Sequence, residues 1–149
     1  MKRLGISKFR IMSMRWPDVL KYYDIHNQSV IIGMNWTVKK SRKYNYGPVH
    51  NYLKHCVLYR RGDKRITSLS QLVGKKVLVE SGTSMEEMLI AVGLGKDVIT
   101  VTDYGPGILN LSKGKYDAVV CEEDVANYFL NSLKIKNVRI SDMHLPIQR

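Results

Sequence analysis

The sequence predicts an α/β fold in which a parallel sheet is covered by helices. Two observations lead to this prediction. Short apolar runs typical of buried strands alternate, along the second half of the chain, with segments whose apolar residues recur at helical spacing. Gly residues close these helical segments, for example at Gly93, Gly95 and Gly114. Strands that alternate with helices favour parallel pairing, because each helix returns the chain to the edge where the next strand starts.

The second half begins with a short helix at residues 69–72, for which Thr67 or Ser68 is the predicted cap. The run Val77-Leu78-Val79 then has the apolar character of a strand that is covered on both faces. Four apolar residues of the next helix recur on one face, namely Met85, Met88, Leu89 and Val92. The predicted strands are 75–81, 98–103, 116–121 and 138–141, and the helices are 84–92, 106–112 and 124–133, the last capped by Asp124.

The first half shows the same kinds of segment with less regularity. Residues 9–14 and 29–34 are predicted strands, and residues 17–23 form a predicted helix that opens with Pro17. Residues 35–52 form a polar and aromatic connection that leads to a predicted strand at 55–60. Gly62-Asp63 and a change in charge indicate a boundary near residues 62–66.

Charge is distributed unevenly along the 149 residues. The formal net charge is +11, and residues 1–65 carry 15 Lys or Arg against 3 Asp or Glu, whereas residues 66–149 carry 9 against 10. A basic segment of this kind can attract anionic ligands, nucleic acid or acidic lipid, or can simply be a solvated surface. Nucleic-acid binding therefore stays open as a lesser alternative.

Several functional classes have no support in the sequence. The N-terminal residues include no apolar run of signal-peptide length, and no segment approaches the ~20 apolar residues of a membrane span. Cys56 and Cys121 lie in apolar runs, where a free Cys behaves as a small hydrophobic residue. The spacing of His50, His55 and Cys56 matches no familiar metal site, and no motif of a catalytic triad or a dinucleotide fingerprint is present. We therefore expect neither an enzyme nor a bound cofactor or metal.

The junction between the strand at 75–81 and the following helix is the most informative local feature. Ser81, Thr83 and Ser84 bring hydroxyl groups to a helix N-terminus, where free N–H groups and the helix dipole favour a carboxylate or phosphate. Gly82 permits a tight turn there, and Ser84 with Glu87 fits a capping box. The alternative is that Thr83 and Ser84 only cap their own helix.

The order of several segments resembles family 3 of the bacterial extracellular solute-binding proteins. This family includes the periplasmic amino-acid-binding proteins of ABC transporters, and the same module serves as a sensor domain in membrane histidine kinases. The resemblance extends from about residue 4 to residue 140. Its motifs, in chain order, are Ile31-Ile32-Gly33-Met34-Asn35-Trp36-Thr37, Val57-Leu58-Tyr59-Arg60-Arg61-Gly62, Ile66-Thr67-Ser68-Leu69, Gly74-Lys75-Lys76-Val77, Ser81-Gly82-Thr83-Ser84, residues 109–114 and Tyr116-Asp117-Ala118-Val119-Val120.

The resemblance implies a periplasmic-binding-protein-like fold, with two α/β lobes that are joined by a hinge and close over a small solute. Residues 1–65 would form a partial lobe 1, residues 66–142 would form lobe 2, and residues 143–149 would be a tail or the start of a return to lobe 1. Lobe 1 is expected to lack its start and its end. A fragment, a mis-started reading frame or a second chain that completes lobe 1 are the alternatives.

Individual positions follow from the same resemblance. Lys40 occupies the place of the Arg that holds the ligand carboxylate, with Arg42 two residues further on, and Glu122 corresponds to the acidic residue that binds the ligand ammonium group. Trp36 is either a lid or a core residue, and the alternative for Glu122 is an acidic helix start. The expected ligand-binding residues are Asn35, Thr37, Lys40, Arg42, Ser81, Thr83, Ser84 and Glu122.

The resulting functional prediction is a solute-binding protein for a small anionic or zwitterionic metabolite such as an amino acid. It would act by lobe closure in ABC-type uptake, with a membrane permease as partner and a periplasmic or extracytoplasmic location. The alternative is a ligand-sensing domain of a membrane histidine kinase, in which the same closure is a signal.

Overall fold

The computed structural model describes residue 3, residues 5–26, residues 28–143 and residue 145. Its helices are α1 (Trp16–Ile25), α2 (Val38–Ser41), α3 (Ser84–Ala91), α4 (Tyr104–Ser112) and α5 (Glu123–Ser132). Its strands are β1 (His55–Arg60), β2 (Val77–Glu80), β3 (Val98–Val101), β4 (Ala118–Glu122) and β5 (Val138–Ile140), and a 3-10 helix covers Leu69–Leu72.

The five strands form one sheet in the order β3-β2-β4-β1-β5. β2 pairs in parallel with both β3 and β4, as the alternation of strands and helices predicts. β1 is antiparallel to both of its neighbours, β4 and β5. The α/β fold class is thus confirmed, but the sheet is mixed and not purely parallel, because β1 enters it without a preceding crossover helix.

The sheet is covered on both faces, and alternate residues of each strand pack on opposite sides. One cluster joins Val57, Val77, Val79 and Val120 to Met85 and Leu89 of α3. The other cluster joins Leu58, Leu78 and Val119 to Ile108 and Leu111 of α4. Cys56 and Cys121 are free thiols buried in this second cluster, as expected for small hydrophobic residues.

In the first half the structure confirms two predicted elements, a helix and the strand at 55–60, which is β1, and contradicts two others. The helix expected at 17–23 is α1, which has Pro17 in its first turn. Residues 9–14 and 29–34 are not strands, and Ile11, Val30 and Ile32 are 81%, 78% and 77% exposed. A strand needs a neighbouring strand that pairs with its backbone N–H and C=O groups, and a packed layer of side chains against its apolar face. Among the described residues, these two segments have neither.

Helix starts also differ in detail from the sequence prediction. Thr83 caps α3 by accepting the Glu86 N–H at 3.3 Å, so the proposed box of Ser84 with Glu87 does not form. Ser68 caps the 3-10 helix, where Gln71 completes a capping box. Asp124 is not the cap of α5, because the helix begins one residue earlier, with Glu122 at the cap position.

The strand before the expected boundary pairs with strands after it. β1 lies between β4 and β5, so residues 55–60 belong to the same sheet as the second half. The wider division of the chain at residue 66 stays a prediction.

The Tyr104 hydroxyl joins two strands where their ladder ends. The register of β2 with β4 covers only Val77–Ala118 and Leu78–Val119. Beyond it, the buried Tyr104 hydroxyl accepts the Glu80 N–H at 3.1 Å and donates to the Val120 carbonyl at 3.0 Å. One side chain thus satisfies two backbone groups at the carboxyl ends of the central strands.

Replacing Tyr104 with Phe should therefore destabilise the fold by about 1–3 kcal/mol, because both backbone groups lose their partner in a buried place. Urea unfolding measures the effect. The matched control is Tyr128→Phe, at a side chain that is 66% exposed, which should change stability by less than about 0.5 kcal/mol. Equal effects of the two substitutions would contradict this role of Tyr104.

Candidate ligand-binding crevice

The carboxyl ends of β2 and β4 meet residues of the first half of the chain, and we call this region, where direct contacts join the two sides, the crevice. In sheets with parallel strands, ligands bind outside the carboxyl ends of the strands. The turn after β2, residues 81–84, forms one wall of the crevice, and Trp16, Asn35 and Lys40 form the other.

The Gly82 turn holds the first half of the chain in place. The Gly82 carbonyl accepts the Trp16 Nε1–H at 3.0 Å, and the Gly82 N–H donates to Glu86 Oε2 at 2.6 Å. Its φ of +77° is a left-handed conformation that Gly tolerates best. A Cβ atom at this position would also lie 3.0 Å from Leu20 Cδ1. Both the turn and its contact with α1 therefore require Gly.

The three hydroxyl groups predicted at this turn have different surroundings. Thr83 is buried, and its hydroxyl caps α3 and donates to the Glu80 carbonyl at 2.8 Å. Ser84 is buried too, and its Oγ accepts the Asn35 Nδ2–H at 3.0 Å. Ser81 is half-buried, and its backbone N–H donates to the Val101 carbonyl. The structure thus brings Asn35 and Ser84 together across the crevice, while Thr83 acts as a cap.

Lys40 points from α2 into the crevice. It is only 7% exposed, and its ammonium group lies 4.0 Å from Glu87 Oε1 and 5.7 Å from the centre of the Trp16 ring. Burial lowers the pKa of Lys40, and the charge of Glu87 partly offsets this effect. Thr37 caps α2 by accepting the Lys40 N–H at 3.0 Å. Arg42 ends the same helix and is exposed, so Lys40 is the cation of α2 that lines the crevice.

Glu122 lies at the end of β4, directly opposite His55 in the antiparallel register with β1. Its Oε1 is 3.7 Å from His55 Nε2, which is too long for a hydrogen bond but short enough for electrostatic attraction. Burial raises the pKa of the Glu122 carboxyl, but His55, the backbone and the Lys40 charge outweigh it and hold this pKa below its ordinary value. Glu122 is therefore an ionised carboxylate at neutral pH.

Three further residues line the strand ends, and none of them is among the site residues predicted from the sequence. His55 is buried, and neither ring nitrogen has a hydrogen-bond partner. Glu80 ends β2, and Asp103 follows β3 and accepts the Gly105 N–H. Burial, together with the charges of Glu122 and Asp103, raises the pKa of Glu80 to about 7. Only the strand order brings these carboxylates together, so no local motif could reveal them.

Two cavities lie near this region. One of about 650 Å³ opens at the strand ends, lined by Arg15, Trp16, Glu80, Asp103 and Phe129 among others. The other, of about 890 Å³, lies within the first half, and mostly residues 29–36 and 44–51 line it. Trp36 lines this larger cavity and is 49% exposed, so it is not a core residue.

The described ranges contain no group of three or more His, Cys, Asp or Glu placed to hold a metal ion. Within them, no helix has the length and apolarity needed to cross a lipid bilayer.

Comparison with solved structures identifies the fold. A histidine kinase sensor domain with similarity to periplasmic binding proteins matches with a TM-score of 0.84 and 23% identity, over 91% of this chain and 59% of that chain. Arginine-bound truncated ArgBP from T. maritima matches with a TM-score of 0.82 and 25% identity, over 99% and 68%. The substrate-binding protein of an amino acid ABC transporter matches with a TM-score of 0.77 and 23% identity, over 95% and 62%.

These neighbours confirm the periplasmic-binding-protein-like fold that the sequence predicts. The chain spans between 59% and 68% of the length of these three structures, in agreement with an incomplete lobe. No protein-family model and no curated protein matches the chain.

The raised pKa of Glu80 gives a prediction about stability. Between pH 4.5 and about 7, the folded state holds a proton that the unfolded state releases, so Glu80 lowers stability as pH rises through this range. Glu80→Gln should therefore gain stability relative to the wild type between pH 4.5 and pH 8, as measured by urea unfolding. At pH 4, where the wild-type carboxyl is protonated, the two proteins should be similar. A difference that does not change with pH would contradict the assignment.

Proposed function

We propose that this chain is a solute-binding module that captures a small zwitterionic or anionic metabolite, such as an amino acid, in the strand-end crevice. The names of the structural neighbours support this class, since they include arginine-binding proteins and an amino acid ABC transporter component. Those neighbours are binding proteins, which favours binding without catalysis.

Opposite charges on the two walls of the crevice are the observation that carries the proposal. Lys40 supplies a buried ammonium group from the first half, and Glu122 supplies a carboxylate from the end of β4. An amino acid carries the complementary pair of charges. In this proposal Lys40 binds the ligand carboxylate as a point charge, without the two parallel hydrogen bonds of an Arg. Glu122 binds the ligand ammonium group.

The remaining predicted site residues take supporting roles in the proposal. Asn35 donates a hydrogen bond to the Ser84 hydroxyl across the crevice, and the polar groups of both residues can turn towards a ligand. Ser81 is the first residue of the turn that also contains Ser84. Thr37 and Thr83 orient Lys40 and α3 by capping their helices. Arg42 at the exposed end of α2 would contact the ligand only after a shift of that helix.

Closure follows from contacts with both walls. A ligand that touches Lys40 on one side and Glu122 on the other binds the closed arrangement better than an open one, so it shifts the population towards closure. In an ABC uptake system this closure would be read by a membrane permease. These roles would place the protein outside the cytoplasmic membrane.

A sensor role is the second candidate, and the histidine kinase sensor domain among the neighbours favours it. The same closure would then transmit a signal to a kinase module. A permease gene next to the coding sequence would support uptake, and a kinase module in the same reading frame would support sensing.

The exposed apolar residues of the first half support one more part of the proposal. In this proposal, residues 1–65 represent a partial lobe 1 whose strand β1 joins the sheet of the second half, and residues 66–142 represent lobe 2. Residues 143–149, of which the structure describes 143 and 145, would be a tail or the start of a return to lobe 1. Ile11, Val30 and Ile32 would gain a covering layer if a further polypeptide segment completed lobe 1.

Thermal unfolding with a panel of amino acids, dicarboxylates and phosphate tests the proposal. A ligand at 100 times its dissociation constant should stabilise the fold by about 2.7 kcal/mol. Lys40→Met and Glu122→Gln should each weaken binding about 10-fold to 100-fold, because each removes a charged contact. The control is Lys39→Met, at the exposed lysine next to Lys40 in α2.

If no panel member changes the melting temperature, the proposal is wrong. If Lys39→Met weakens binding as much as Lys40→Met, the crevice is not the site. Micromolar binding of oligonucleotides with a steep salt dependence would instead support a nucleic-acid-binding protein.

A further inference from the structure

Cys56 of β1 and Cys121 of β4 lie directly opposite each other in the antiparallel register of these two strands. Opposite residues of an antiparallel pair point to the same face of the sheet, with Cα atoms about 4.5–5.5 Å apart. A disulfide bond needs Cα atoms about 4.4–6.8 Å apart. The sheet therefore brings the two cysteines of the chain, which are distant in the sequence, within disulfide range.

The side chains of these cysteines share one environment. Both are buried in the apolar cluster that includes residues of α4, and Cys56 is 3% exposed and Cys121 0%. The Cys56 thiol is the largest cause of a raised pKa at Cys121, ahead of burial. The two sulfur atoms are thus close enough to interact.

Packing alone does not require sulfur at either position. The next two pairs in the same register are Val57 with Val120 and Leu58 with Val119. All four of these aliphatic side chains are fully buried, so the sheet fills equivalent positions without thiols. Two thiols that face each other supply a reactivity that an aliphatic pair does not have.

The cysteine pair lies where the chain enters the sheet from the first half. Cys56 is the second residue of β1, and the preceding pair in the register is His55 with Glu122. A covalent bond at Cys56 would hold the start of β1 to β4, one residue from Glu122. It would also close a long loop, which restricts the unfolded chain strongly.

We infer that Cys56 and Cys121 form a cross-strand disulfide when the protein folds in an oxidising environment, and that this bond joins β1 covalently to β4. The inference rests on strand register and burial, and it needs neither the proposed ligand nor the proposed partners. The extracytoplasmic location in the proposed function would supply the oxidising environment.

The bond forms by exchange with an external disulfide, such as oxidised glutathione. One cysteine thiolate attacks a sulfur atom of the external disulfide, which gives a mixed disulfide and releases one thiolate. The second cysteine thiolate attacks the cysteine sulfur of the mixed disulfide, closes the Cys56–Cys121 bond and releases the other thiolate. Two electrons pass to the external disulfide, and the two protons lost by the cysteines protonate the released thiolates.

Burial determines when this exchange takes place. In the folded protein both sulfur atoms are shielded from an external disulfide, and the raised pKa keeps Cys121 as a thiol, which is not the attacking form. The bond therefore forms while the chain is still folding. Once it has formed, the same burial protects it from reductants.

Exchange equilibria of the wild-type chain test the inference. The unfolded protein is transferred to mixtures of reduced and oxidised glutathione, either in native buffer or in concentrated urea. Free thiols are then trapped with N-ethylmaleimide, and the disulfide is measured by mass spectrometry. Because the chain has two cysteines, an internal disulfide can join only this pair. The equilibrium constant for its formation should be at least about 10-fold larger in native buffer, since the folded register holds the sulfur atoms together.

An equal or smaller constant in native buffer would overturn the inference, because the folded state would then not favour the bond. Free thiols at both positions after refolding, or disulfide-linked dimers in place of the internal bond, would overturn it too. None of these results bears on ligand binding, which the panel of metabolites tests separately.

Thermal unfolding gives a second test. Protein refolded with oxidised glutathione should melt at least about 5 °C higher than protein refolded with a reductant, because the cross-link restricts the unfolded chain. The matched control is the double variant Cys56→Ala and Cys121→Ala, whose melting temperature should not depend on redox conditions. If this variant does not fold, the wild-type measurements decide the inference by themselves. Equal wild-type melting temperatures in the two conditions would overturn it.

Discussion

The contact between the Gly82 turn and the first half of the chain is the constraint on which the rest of the arrangement depends. Among the described residues before β1, only Lys40 and Tyr44 are buried, so this part has almost no core of its own. It lies against the sheet through the Trp16–Gly82 and Asn35–Ser84 hydrogen bonds and the Lys40–Glu87 ion pair. Because these contacts lie at the strand ends, the residues that hold the two parts together are also the residues that line the crevice.

Several polar groups at the strand ends are buried without full compensation. The pKa of Glu80 is raised and the pKa of Lys40 is lowered, and the His55 ring nitrogens have no hydrogen-bond partner. Each of these groups therefore has a less favourable environment than it would have in water. Groups with perturbed pKa values are concentrated at functional sites. A ligand with complementary charges would satisfy them and stabilise the closed arrangement.

Local patterns in the sequence predict the second half well, since β2, β3, α3 and β4 are each defined by their own apolar spacing and caps. Local patterns predict the structure less well where it depends on residues that are distant in the sequence. Residues 9–14 and 29–34 have strand-like composition, but without a neighbouring strand they are irregular. Strand register places His55 opposite Glu122, and strand order brings Glu80 and Asp103 to the same edge of the sheet. No short sequence motif encodes either arrangement.

The central claim is that one ligand bridges the two walls of the crevice. Hydrogen–deuterium exchange with and without saturating L-arginine tests it most directly. The account predicts increased protection both in α1, Trp16–Ile25, and in the turn and first residues of α3, because the two walls close together. Protection confined to one wall, or no change in either, would contradict it.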